Sequence, residues 1–193
     1  NFSIEPMDLY PGWAKRIAEM QIKSYLEEHK LLNFSIVRPC NVYGPGDNFD
    51  PKNAMVIPTL ISKIHSYLKN GNEVVIWGDG SAERDFLFSR DCAKGIILAC
   101  LKGTNALPIN LGSGKGIKIS ELVETLNSIV SFKYSYDKSK PAGYKKRVMD
   151  ISLAREKLNY NPITSLKDGL QETWEWYKKN LTQFRNKVNY FES

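Results

Sequence analysis

No apolar run in these 193 residues approaches the roughly 20 needed for a membrane-spanning helix. The opening stretch, Asn1 to Pro6, has neither a basic segment nor an apolar one of the kind that targets a chain for export. A soluble, cytoplasmic protein with no membrane partner is expected. Cysteine is scarce: Cys40, Cys92 and Cys100 are odd in number, form no CxxC pair and lie in mostly apolar segments, so no disulfide framework or zinc site is indicated. All three are expected to be reduced, buried fillers. No repeat or low-complexity stretch interrupts the chain. Nor does any GxGxxG or GxxGxxG turn join a strand to a helix, so the first βαβ unit of a dinucleotide-binding fold is not in this sequence.

What is present is an ordinary globular composition, 42% apolar, with an excess of positive charge. The formal charge is +6 and the pI about 9.1, which admits nucleic acid or a phosphorylated small molecule as a partner. The lysines and arginines are scattered, with short clusters such as Lys138, Lys140 and Lys145 to Arg147, and no long basic block or stacking-aromatic repeat goes with them. A small phosphorylated ligand is the economical reading, a plain solvated surface is the other, and no nucleic-acid partner is expected.

Strands and helices alternate. Trp13, Ala14, Ile17, Ala18, Met20, Ile22 and Leu26 recur at helical spacing up to about His29, predicting a helix with one buried side that starts beside Tyr10, with Pro11 in its first turn. Residues 34–38, 73–77, 84–88 and 109–111 read as strands. Helices are expected over 54–69 with Asn53 as cap, from Asp91 with an apolar side at Ala93, Ile96, Ile97 and Ala99, and behind Ser120 as cap. Two more are expected over 153–158, capped by Asp150 or Ser152, and behind Ser165 through Trp174, Trp176 and Tyr177. The segment 39–51 is a Pro/Gly/Asn/Asp-rich loop at the end of a strand, where open α/β folds bind ligands. Arg84 is expected on a turn between two strands. Residues 112–116 fail the Walker A spacing and read as a flexible turn, 138–147 as a surface loop, and 181–193 as a polar tail. The whole predicts one α/β unit over residues 1–180.

Tyr10 and Lys15 are the candidate catalytic pair, because an ammonium beside a phenol favours phenolate and makes a base usable near neutrality. An arbitrary Tyr and Lys at this spacing are more often a core cap and a solvated lysine. Company decides: Gly12-Trp13-Ala14-Lys15-Arg16, then Arg38-Pro39-Cys40-Asn41-Val42-Tyr43-Gly44-Pro45, then Trp77-Gly78-Asp79-Gly80-Ser81-Ala82-Glu83-Arg84-Asp85-Phe86, then Asn110-Leu111-Gly112-Ser113-Gly114, follow one another in order. In these four segments the chain resembles the carboxyl-terminal part of an extended short-chain dehydrogenase/reductase, of the NAD-dependent nucleotide-sugar epimerase/dehydratase family. Asp47-Asn48-Phe49 and the helix behind it look most like the GDP-fucose synthase branch.

The resemblance implies the carboxyl-terminal part of a Rossmann-like fold with a small substrate-binding subdomain, NAD or NADP as cofactor in the complete protein, an NDP-hexose as substrate, and a homodimer. It implies that Lys15 holds the nicotinamide ribose and lowers the Tyr10 pKa, and that Pro39 approaches the nicotinamide. It implies further that Asn41 contacts the sugar nucleotide, and that Arg84 and Arg147, with Lys140, neutralise the diphosphate. Trp77 is a wall for the base or, equally, a core aromatic. The family spacing is YxxxK, and four residues before Lys15 stands Pro11; Tyr10, five before, would point ~140° away on a regular helix, so it serves as base only if the chain at Pro11 is not yet helical. Where the GDP-fucose synthases carry a histidine acid, this chain has Met55. Two functions follow: the substrate-binding half of an NAD(P)-dependent nucleotide-sugar epimerase, dehydratase or reductase, or a nucleotide-sugar-binding module without a redox step.

Overall fold

The computed structural model describes residues 9–30, 34–51, 53–141 and 143–181. The first helix, α1 (Leu9–His29), lies where the apolar spacing predicts it, yet none of its residues is buried. Trp13, Ile17 and Met20 are each more than half exposed, so the expected buried side is uncovered among the described residues. Periodicity marks the face that needs cover without naming what covers it. A two-pronged ion pair ties α1 to the sheet: Arg38 donates from Nε to Glu19 Oε1 at 2.7 Å and from Nη2 to Glu19 Oε2 at 2.5 Å.

That ion pair yields a local prediction. Arg38 holds the Glu19 carboxyl below its ordinary pKa. A depressed carboxylate contributes stability above the ordinary carboxylate range and loses it as pH falls through the depressed value. Acid, or Glu19→Gln at neutral pH, is therefore expected to speed amide exchange in α1 and leave the helices of the core unchanged. Equal acceleration everywhere would show that the pair has no local role.

Beyond α1, an extended run changes partner half-way. β1 (Ile36–Pro39) pairs in parallel with β6 (Pro108–Leu111), the Cys40 N–H donates to Leu111 O at 2.9 Å, and β2 (Asn41–Tyr43) then pairs in parallel with β5 (Phe86–Phe88). All three residues of β5 are buried; Phe86 and Phe88 enter one core cluster and Leu87 another, as strand alternation requires. The larger cluster takes Ile57, Ile61 and Ile64 from α2 (Val56–Asn70), Leu122 and Leu126 from α4 (Ile119–Ile129), and Leu170 and Trp174 from α6 (Leu166–Lys179). It also covers the parallel pair β3 (Val74–Trp77) and β8 (Tyr134–Asp137) through Val74 and Ile76. The smaller cluster sits between β6, α3 (Ser89–Lys102) and α5 (Ser152–Leu158). A third set of strands joins β4 (Glu83–Arg84) antiparallel to β7 (Ile117–Lys118) and parallel to β9 (Lys146–Arg147).

Several local expectations are corrected. In α3 the buried residues are Asp91, Cys92, Gly95 and Ala99, while Ile96 and Ile97 face outward. The small side of this helix is the packed one because Leu111 and Tyr160 press against it; a Cβ on Gly95 would lie 2.8 Å from Leu111 and 2.9 Å from Tyr160. An ordinary helical Gly→Ala gains about 1 kcal/mol. Here contacts under 3.0 Å with two side chains put overpacking at about 2–3 kcal/mol, which outweighs it, so Gly95→Ala is expected to lower the urea midpoint by a net ~1–2 kcal/mol equivalent. A raised midpoint would mean that the helix shifts freely.

The caps also differ. Met55 precedes α2 without a side-chain bond, so Asn53 is not its cap; Ser120 lies inside α4. Asp91 sits in the first turn of α3 and accepts instead from Thr164 N at 2.9 Å. Ser165 does cap α6, accepting from Asp168 N at 3.1 Å, and Asp150 accepts from Ser152 N ahead of α5. β8 is absent from the sequence reading, and the surface loop expected to run through Arg147 ends instead in β9. Cysteines 40, 92 and 100 are free as expected, but Cys100 is exposed. The tail from residue 182 onward lies outside the described residues.

Candidate functional site

The predicted diphosphate residues meet where β4 and β9 run side by side. Arg84 and Arg147 are register partners. Arg84 is half-buried in a strand, not on a turn as expected, and its guanidinium is aimed by its own chain: Nη1 donates to Glu83 O at 2.7 Å and to Tyr144 O at 2.5 Å. Gly143, at φ +69°, lets this group pass, since a Cβ there would stand 3.1 Å from Nη2. The Arg147 guanidinium lies over the Tyr144 ring, 3.8 Å from its centroid. Burial, and then the positive charge of Arg147, lower the Arg84 pKa. Two cations held side by side by the backbone repel, and an anion placed between them relieves both.

The residue after Arg84, Asp85, carries a buried carboxylate. It is fully inaccessible and accepts from Ser113 N at 2.8 Å, Ser113 Oγ at 2.6 Å, Gly114 N at 3.2 Å and Met149 N at 3.3 Å. The residues 112–116 are therefore a turn built on Asp85; at Gly112 a Cβ would lie 2.5 Å from Asp85 Oδ2. Burial, and then the negative charge of Asp85, raise the Cys40 thiol pKa, so it is a protonated packing residue.

The other predicted residues are spread more widely. Asn41 is half-buried at the start of β2, and its Nδ2 donates to Asp85 O at 2.9 Å, which commits the amide to the chain and leaves its oxygen for a ligand. Trp77 ends β3 and is 61% exposed, which overturns the core-aromatic alternative. Lys140 is exposed on the turn after β8 and Pro39 is exposed at the end of β1. Tyr10 and Lys15 are both exposed and both inside α1; Tyr10-Pro11-Gly12 are helical, so the condition under which Tyr10 could turn toward Lys15 is not met. On that helix the two side chains leave the axis ~140° apart. The structure does not bring this pair together. The described residues therefore do not make a dinucleotide site on their own: they supply neither a glycine-rich cradle nor a Tyr–Lys couple.

A profile of the NAD dependent epimerase/dehydratase family matches residues 3–112, more than half of the chain. The chain belongs to this family. GDP-L-fucose synthase 1 of Arabidopsis thaliana is 36% identical to this epimerase-family chain over 182 residues, 93% of it and 56% of the plant protein. Among solved structures, a GDP-L-fucose synthetase from Naegleria fowleri bound to NADP superposes with a TM-score of 0.83 at 26% identity, over 90% of this chain and 57% of that one. UDP-glucose 4-epimerase from Thermotoga maritima, with UDP-glucose, gives 0.76 at 32% identity over 88% and 53%. The chain thus spans a little over half the length of each relative and forms part of the family's Rossmann-like α/β fold. Among the described residues no helix is long and apolar enough to cross a membrane.

Sequence reasoning singled out Arg84 and Arg147, which the fold places side by side, but not Asp85. The clue was a carboxylate between Arg84 and a run of buried aromatics, followed far along the chain by Gly112-Ser113-Gly114. Only the fold brings those two stretches within hydrogen-bond distance.

Proposed function

We propose that this epimerase-family chain is the nucleotide-sugar-binding half of an NAD(P)-dependent nucleotide-sugar epimerase, dehydratase or reductase, and that its own task is to hold the diphosphate of an NDP-hexose. The observation that carries this is the register pair Arg84–Arg147, two guanidiniums presented from adjacent strands with Tyr144 beneath one of them. A diphosphate fits such a pair because each planar fork can take two oxygens at once. Trp77 offers an exposed indole as a wall for the base, Asn41 a free amide oxygen for the sugar nucleotide, and Lys140 a further positive charge. A nucleotide with a guanine base ranks first, supported by the GDP-L-fucose synthases among the relatives.

The cofactor would be held by further sequence of the kind that makes up the remaining length of the relatives. The uncovered face of α1 supports assembly through that helix, with the cofactor-binding part or, in a homodimer, with a second copy. One observation favours the second reading, a binding module without redox chemistry: Tyr10 and Lys15 diverge on a helix that already includes Pro11. Met55, 57% exposed where the GDP-fucose synthases place a histidine acid, cannot move a proton, so epimerisation by that route has no donor here.

Calorimetric titration of the chain with GDP, UDP, CDP and dTDP is the test. Saturable binding of one of them is expected, weakening as salt rises because exposed charge contributes. A folded chain that binds none would remove the proposal.

A further inference from the structure

We infer that Asp85 is the positioning residue of the diphosphate site: one buried residue whose backbone bonds and carboxylate together hold both arginine-bearing strands, the Asn41 strand and the 112–114 turn in a single arrangement. The inference rests on the reading of Arg84 and Arg147 as a diphosphate clamp and adds to it what sets the spacing of the clamp. The two backbone groups of Asp85 reach the other two strands that carry site side chains, and its carboxylate reaches the 112–114 turn and the chain just beyond Arg147. Its backbone N–H donates to Arg147 O at 3.0 Å, and its carbonyl accepts from Asn41 Nδ2 at 2.9 Å. Its side chain takes the Met149 N–H, two residues beyond Arg147, and the N–H groups of Ser113 and Gly114. Arg84 is its chain neighbour, so Arg84, Arg147 and Asn41 each lie within one bond or one hydrogen bond of Asp85.

A fully buried carboxylate is costly unless every lone pair is used. Backbone N–H groups from two separate segments, with the Ser113 hydroxyl, fill this one. Nothing here needs a negative charge for packing alone; an apolar residue would bury more cheaply. What the carboxylate provides is direction, because acceptors on both oxygens draw the 112–114 turn and the 147–149 strand end toward the same point. Asp85 touches no ligand. It acts through Arg147, Asn41 and the turn.

Asp85→Asn tests this, since the amide keeps the shape but turns one acceptor into a donor that faces the Gly114 and Met149 N–H groups. Ser113→Ala, which removes one donor and leaves the charge, is the milder second variant in case the first folds poorly. With the diphosphate that the wild type binds, Asp85→Asn is expected to weaken affinity about 30-fold and Ser113→Ala about 5-fold. The readout that a merely structural role would not move is the coupling to Arg147: in the Asp85→Asn background, Arg147→Ala should weaken binding no more than twofold further, because the clamp is already open. Either variant, if folded, also suffices to show accelerated exchange of the Gly114 and Met149 amides. If folded variants bind as tightly as wild type, or the Asp85 and Arg147 effects simply multiply, the positioning role is wrong. If wild type binds no nucleoside diphosphate, the reading of the clamp itself fails, and a role in spacing it falls as well.

Discussion

Arg84→Ala is expected to weaken nucleoside-diphosphate binding by about 100-fold, the equivalent of ~2.7 kcal/mol. The size follows from burial. Arg84 is half-buried and already lowered in pKa by that burial and by Arg147, so its charge is poorly served by water and gains much from an anion. Its aim is also fixed in advance by the Glu83 and Tyr144 carbonyls, so little side-chain entropy remains to be lost on binding. Arg84→Lys should recover less than a tenth of the lost affinity, since one ammonium cannot both anchor to those carbonyls and present a fork. Arg147→Ala, at an exposed position over Tyr144, is expected to cost only about 10-fold and to flatten the salt dependence. Calorimetry at two salt concentrations measures all three. An unchanged Kd in Arg84→Ala would place the diphosphate elsewhere.

Leu170→Ala is expected to cost about 3–4 kcal/mol of stability, above the low end for a buried leucine. Leu170 is completely inaccessible and stands on α6 in the larger core cluster. The site cannot collapse to refill the space. Next to it Gly169 lies so close to the Tyr43 hydroxyl and to Phe88 that no Cβ fits, and Trp174 and Tyr177 stack one turn further along. Rings wedged at both ends leave a cavity when the leucine goes. The control is Leu101→Ala on α3, 78% exposed, for which less than about 0.5 kcal/mol is expected. Urea unfolding with an unchanged slope distinguishes them; similar midpoints for the two variants would mean that the α6 core is fluid.

The parts of this fold that were legible in the sequence are those whose information is local. Helix periodicity placed α1, α2 and α6, and the serine at 165 capped its helix as its side chain allows. Of the two-residue strands, β7 and β9 could not be read and β4 was read only as the start of the run 84–88, because each exists only through a partner far along the chain. β8 was readable and overlooked: Tyr134 and Tyr136 alternate on one face after Phe132, a period-2 signal set among lysines. At the candidate site, the motif residues pointed to Arg84 and the late basic loop to Arg147; that the two are register partners is visible only in the fold. The Tyr10–Lys15 geometry depended on where a helix begins, which a sequence locates only to within a few residues. The outward face of α3 was misjudged because Gly95 and Ala99 carry too little side chain to announce that they are the packed side.

The three longer strand pairs, β1 with β6, β2 with β5 and β3 with β8, are all parallel, so none can form as a hairpin between neighbours. Each closes a long loop before any contact rewards it, which makes the search for the fold slow. The backbone bonds of helix α1 are local and can form within microseconds, although its packing must come later. The two-residue pairing of β4 with β9 can only follow the sheets that frame it, so the arginine clamp belongs to the last steps of folding. A ligand that recognises the finished clamp is then without influence on the rate at which the chain folds; its whole effect is to slow the rate at which the folded protein comes apart.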